Sequence, residues 1–166
     1  VKDLEDAKGF VTTYGSELHV NDNPAEEDSI LVGRLRDQGC IILGKTNTPE
    51  FGHKGKTDNA PFGSTKNPWN LEYSPGGSSG GTSAALCSGM IPLGTGSDGG
   101  GSIRIPSVLG GLSGIKTSQG RIPNGGPKPP GSGLLTVKGP MANTTADTAL
   151  ALDASVGADP TDIFSL

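Results

Sequence analysis

Long apolar runs are missing from this chain of 166 residues. Its most apolar stretches, such as Ile41 to Leu43, fall far short of the roughly 20 residues that cross a bilayer as a helix, so no membrane segment is encoded. Clustered basic charge is missing too. The 13 Lys and Arg are scattered among 17 Asp and Glu, for a net charge of −4, and there is no basic arm. That excludes nucleic acid as a main partner, because phosphate binding needs a concentrated basic surface. Cysteine occurs only as Cys40 and Cys87, in apolar or small-residue surroundings and without metal-ligand spacing. The expectation is two buried free thiols in a reducing, cytoplasmic compartment rather than a disulfide, with no metal and no cofactor. The chain begins Val1-Lys2-Asp3, without an initiator methionine or a signal-like segment, and is expected to be a fragment. No repeat occurs at any solenoid period.

Glycine is abundant: 28 of 166 residues, more than twice the usual share of about 7%. Most of it lies between Gly76 and Gly133, interleaved with apolar residues and without the charge of a disordered tract. Such a stretch marks places where backbone must approach something closely.

The expected elements alternate in type. Asn23 to Gly39 reads as a helix, with Pro24 near its start, Glu26, Glu27 and Asp28 in the first turn, Arg34 and Arg36 late, and Gly39 as a stop. Cys40 to Leu43 reads as a strand buried on both faces, since no polar residue interrupts it. Residues 52–77 carry turn formers (Asn59-Ala60-Pro61, Asn67-Pro68, Ser74-Pro75-Gly76) and read as a long surface excursion. Ser83 to Met90 reads as a small-residue helix, Ile91 to Leu93 as a short strand, and Thr144 to Gly157 as a last helix opened by Thr144, Thr145 and Asp147. Helix followed by buried strand points to an α/β fold with helices covering a mixed central β-sheet.

Three well-known motifs match letter for letter and fail on context. Gly39 to Thr46 fits GxxxxGK[ST], yet its four middle residues are the expected strand and Asn47-Thr48-Pro49 follows instead of a helix. Gly94 to Gly99 fits GxGxxG, but no Asp or Glu occurs between Gly99 and Thr145 to hold a ribose. Gly76 to Gly80 fits GxSxG, but Pro75 precedes it, and both histidines, His19 and His53, lie upstream. A serine–histidine–acid triad in that chain order is therefore unavailable, and both histidines read as exposed polar residues.

Without histidine, a hydrolytic serine needs another base, and a lysine held neutral by burial or a cationic neighbour can serve. The run SPGGSSGGTSAALCSGMIPLGTGSDGGGSIRIPSVLGGLSGIKTSQGRIP resembles the signature region of the amidase signature family. The likeness extends to the opening VKD, to GKTNTPEF, to Asn67-Pro68-Trp69 and to KGPMA, so it spans essentially the whole chain.

The resemblance implies an amidase that hydrolyses a carbon–nitrogen amide bond through a Ser-cisSer-Lys triad and an acyl-enzyme. Ser102 would be the nucleophile, Ser78 the cis serine and Lys2 the base, in preference to Lys45, which reads as a strand-end lysine. Gly99, Gly100, Gly101 and Ser102 would supply the N–H groups of an oxyanion hole. Ser79, Asp98 and Arg104 would brace that loop, and Trp69 reads as a packing residue. Three consecutive glycines stand where the family often has a bulkier residue before two, which would loosen the loop or widen its pocket. The implied partner is a small-molecule amide, with a homodimer left open. The alternatives are the glutaminase (A) subunit of a tRNA-dependent amidotransferase, disfavoured by the text from Gly131 to Met141, and a catalytically silent binding member of the fold. The family domain is longer than this chain at both ends, so the piece alone is expected not to fold stably.

Overall fold

The structure is a computed structural model, and it describes residues 1–125 and 135–166. The glycines at 126, 131 and 133, and the residues from Gly131 to Leu134 used against the amidotransferase reading, lie outside the described residues.

The architecture is α/β. Helix α1 (Ile30–Asp37) and a 3-10 turn (Glu50–Gly52) precede a two-residue hairpin, β1 (Asp58–Asn59) and β2 (Gly63–Ser64). Then follow α2 (Gly80–Cys87), β3 (Leu93–Asp98), α3 (Arg104–Gly110), β4 (Ser113–Gly114), β5 (Val137–Ala142) and α4 (Thr145–Ser155). Strand β5 is the centre of an antiparallel sheet in the order β3-β5-β4, with Gly96 facing Gly139 and Ser97 facing Lys138. A single parallel bridge, Lys2 to Thr46, stands apart from this sheet.

Successive residues of a strand point to opposite faces, and each face of the sheet here receives its own helices. Leu93 joins Leu31, Leu35, Ile122, Leu152 and Val156 in a cluster built from α1 and α4. One residue out of phase, Met141 of β5 joins Leu86 of α2 and Ile103, which caps the start of α3. Leu31, Leu35, Ile122, Leu86, Ile103 and Met141 are the buried members, and each contributes about 1.5–3 kcal/mol.

Several elements differ from their sequence reading. Helix α1 starts at Ile30, not near Asn23, because Ser29 is its cap: the Ser29 side chain accepts from Val32 N–H. Asp28 does not serve the helix. Its carboxylate accepts the Lys8 N–H at 2.7 Å and pairs with Arg36. Cys40 to Leu43 forms no strand and belongs to no sheet, with Ile41 83% and Leu43 69% exposed. An apolar run signals a demand for burial without saying what meets it: Cys40 packs against the cluster of Leu31, Leu35 and Ile122, while Ile41 and Leu43 stay exposed. Helix α2 begins three residues early, at Gly80, and the strand expected at Ile91 to Leu93 runs instead from Leu93 to Asp98. Trp69 does not pack in a core. It is 72% exposed and donates its indole N–H to the Gly110 carbonyl. Helix α4 matches its reading at the start, where Thr144 accepts from Asp147 N–H. Cys40 and Cys87 are free thiols, half-buried rather than buried. His53 is exposed as expected, whereas His19 is half-buried against Tyr14 and Phe51.

Candidate active site

Lys2 lies on a short extended segment tied to 44–46: Thr46 N–H donates to Val1 and Asp3 N–H to Thr46. The Lys2 N–H reaches Thr95 Oγ1 on β3 at 2.8 Å. The segment therefore lies against β3, and the Lys2 side chain is fully buried. Its Nζ meets two hydroxyls, Ser78 Oγ at 2.7 Å and Ser97 Oγ at 3.0 Å. Burial strips water from the ammonium and pushes its pKa from 10.5 down to about 7, although Glu5 and then Asp98 pull the other way.

Ser78 sits just before α2, and the Gly77–Ser78 peptide bond is cis. Threonine and serine hydroxyls fasten its loop. Thr57 Oγ1 donates to the Gly76 carbonyl at 2.9 Å and accepts the Gly80 N–H at 3.1 Å. A Cβ on Gly77 would stand 2.8 Å from both Lys54 O and Lys56 N, so only glycine lets the loop lie this close to its neighbour. Ser79 N–H donates to the Ser102 carbonyl at 3.2 Å, which fixes the two serine loops to each other.

Ser102 follows β3, in a loop organised by Asp98. That carboxylate is fully buried and accepts the N–H groups of Gly101 (2.7 Å), Ile103 (3.1 Å) and Arg104 (3.3 Å), together with the Arg104 guanidinium through Nε and Nη2 at 3.0 Å each. Burial alone would raise the Asp98 pKa. The hydrogen bonds from Arg104, Ile103 and Gly101 outweigh it and hold the carboxyl at about 2. Asp98 and Arg104 thus brace the loop, as the sequence reading had them. Gly101 needs to be glycine for its φ of 126°. Its N–H is taken by Asp98, so Gly101 does not offer the oxyanion donor that the sequence reading assigned to it. The position where a bulkier residue was expected, Gly99, lies against Thr136, whose Oγ1 a Cβ would approach to 2.9 Å.

Ser78, Ser97, Ser102, Gly99 and Gly100 all line one cleft of about 860 Å³, shared with Glu5, Lys138, Tyr14, Phe51 and Thr136. The structure thus brings Ser78, Gly99, Gly100 and Ser102 to one cleft, with Lys2 reaching it only through Ser78 and Ser97 and with Gly101 outside its lining. Lys45, the rejected lysine, points away and pairs with Asp3 at 2.9 Å. No α-helix opens after Lys45-Thr46, as a phosphate loop would require, and Gly94 and Gly96 lie inside β3. Sequence reasoning missed Ser97, Glu5 and Lys138. For Ser97 a signal existed: it alternates with Thr95 on the strand face that meets Lys2. Among the described residues, no three His, Cys, Asp or Glu side chains stand together to hold a metal ion, and no helix is long and apolar enough to cross a membrane.

The family model described as Amidase matches residues 1–166. An acylamidase of Rhodococcus erythropolis is 46% identical over 173 residues, covering 100% of this chain and 34% of that protein. The (A) subunit of the glutamyl-tRNA(Gln) amidotransferase of Roseiflexus castenholzii is 44% identical over 162 residues, covering 98% and 33%. Among solved structures, a bacterial aryl acylamidase belonging to the amidase signature enzymes superimposes with a TM-score of 0.91 at 36% identity, covering 100% of this chain and 35% of that one. The chain spans about a third of the length of these relatives.

Proposed function

The chain belongs to the amidase family, and on that premise we propose that it carries the catalytic residues of an amide hydrolase with Ser102 as nucleophile, Ser78 as proton relay and Lys2 as base. The observation that carries this reading is the Lys2 ammonium: fully buried, 2.7 Å from Ser78 Oγ, and lowered by burial to a pKa where half of it is neutral near pH 7.

Neutral Lys2 accepts the Ser78 hydroxyl proton while Ser78 Oγ takes the proton of Ser102. Ser102 Oγ then forms a bond to the amide carbon, and the carbonyl electron pair moves to oxygen. The N–H groups of Gly99, Gly100 and Ser102 stabilise that oxyanion, each worth about two to three orders of magnitude in kcat. Reversing the relay, Ser78 protonates the departing nitrogen, the carbon–nitrogen bond breaks, and an ester to Ser102 remains. Water activated through the same relay cleaves the ester and releases a carboxylic acid. The substrate is a small-molecule amide, and the free thiols fit a reducing, cytoplasmic setting.

A serine-directed fluorophosphonate applied to the full-length protein tests the nucleophile. The adduct is expected at Ser102 by mass spectrometry and absent in Ser102→Ala; an adduct elsewhere, or one unchanged in that variant, removes Ser102 from the role. The 44% identity to a glutamyl-tRNA(Gln) amidotransferase component favours a second reading on the same machinery. Ammonia release from glutamine that requires a partner protein would select it.

A further inference from the structure

Three carboxylates surround the Lys2 segment, and each has a cation of its own: Asp98 has Arg104 at 3.0 Å, Asp3 has Lys45 at 2.9 Å, and Glu5 has Lys138 at 2.8 Å. The first two acids have further donors. Asp98 accepts three backbone N–H groups, and Asp3 accepts from Thr13 through both its N–H and its hydroxyl. Glu5 differs, because among the described residues Lys138 is the one donor to its carboxylate.

The geometry puts this third pair beside the base. Glu5 N–H donates to the Lys2 carbonyl at 3.0 Å, so the two residues share one turn. Lys138 on β5 stands opposite Ser97 on β3, and Ser97 Oγ is the second hydroxyl on Lys2 Nζ. Both members of the pair are buried and both line the cleft. Of the charged groups acting on Lys2, Glu5 does most to favour the ammonium, ahead of Asp98.

We propose that Lys138 is a positioning residue that keeps Lys2 neutral: by pairing with Glu5 it cancels the anion that would otherwise hold Lys2 as an ammonium. The proposal rests on the reading of Lys2 as the base. A largely buried acid left without its cation is only weakly screened by water, so its field falls on the next positive group. In this arrangement that group is Lys2. With Lys138 in place the acid's hold is offset, and the burial of Lys2 prevails.

The test is the rate of fluorophosphonate labelling at Ser102 in the full-length protein, followed from pH 5 to 10. Lys138→Met is expected to move the acid limb upward by about one pH unit, the lower end of what a nearby charge does, so that labelling below the limb slows about tenfold. Glu5→Gln is expected to move it downward, Glu5→Gln with Lys138→Met to return it toward the wild-type position, and Lys138→Arg to hold it there. A limb that stays put in Lys138→Met, or moves the same way in both single variants, overturns the proposal, as does an effect confined to KM for an amide substrate. Should Lys138→Met fail to fold, Glu5→Gln and the double variant still decide, since neither leaves a buried carboxylate unpaired. Lys2→Ala separates the two levels. Wild-type labelling in that variant refutes Lys2 as base, whereas lost labelling together with an unmoved limb in Lys138→Met refutes only the role of Lys138.

Discussion

Lys2 Nζ and Ser78 Oγ stand 2.7 Å apart across 76 positions of sequence, and both side chains are all but closed to water. A charged lysine can only donate to that hydroxyl, whereas a neutral one can take its proton. The first prediction concerns this switch. With Lys2 at about pKa 7, kcat/KM is expected to fall about tenfold per unit as pH drops below 7 and to level off above it. A profile flat from pH 5 to 9 would contradict the assignment.

Folding stability carries the same signature with a definite sign. The folded state lowers the Lys2 pKa from 10.5 to about 7, so between those values the unfolded chain binds more protons and stability rises with pH, by about 1.4 kcal/mol per unit. Below about pH 7 the penalty is complete and constant. Lys2→Met, which has no charge to bury, is therefore expected to melt higher than the parent at pH 6 and to converge with it near pH 10, in thermal unfolding of the full-length protein.

Lys45 and Lys2 are expected to separate cleanly. Lys45→Ala strands the buried Asp3 carboxylate and should cost about 3–5 kcal/mol of stability. Lys2→Ala should abolish amide turnover. A Lys45 variant that is inactive with an unchanged melting temperature would mean that the wrong lysine carries the chemistry.

Asp98→Asn is expected to release Gly101 and Arg104 and blur the glycine loop, lowering kcat by about a hundredfold, the scale of one lost oxyanion donor. Acid titration gives a second readout. The Asp98 contribution is present above its ordinary pKa of 3.8 and is lost as pH falls through about 2. The Asn variant should therefore show a shallower loss of stability over that window.

Gly77→Ala forces a methyl group to within 2.8 Å of Lys54 O and Lys56 N, backbone atoms that cannot swing aside. A loss of about 1–3 kcal/mol is expected from overpacking, with a drop in kcat/KM because Ser78 moves with the loop. Unfolding and steady-state kinetics check both.

The site was more legible than the sheet. Capping residues gave away the start of α4, because Thr144 and Asp147 act over three residues and need no distant partner. The same local logic misled at α1, where Asp28 and the glutamates before it suit a first turn but Asp28 has a longer-range task with Lys8 and Arg36. Strand β5, the centre of the sheet, carries a glycine and a proline within VKGPMA and was not read as a strand at all. Its pairing comes from contacts with β3 some 40 residues away, which no local propensity encodes.

Residue type and order by themselves carried the likeness to the family, which in turn implied Ser102, Ser78 and Lys2, and they ruled out a histidine following the serines, because both depend only on which residues are present and in what order. Only the tertiary structure decided that the Gly101 N–H is taken by Asp98, which cation matches which carboxylate, and what burial does to Lys2. Those are consequences of distance and of water excluded, and the groups involved, Glu5 with Lys138 and Lys2 with Ser97, lie 133 and 95 positions apart along the chain.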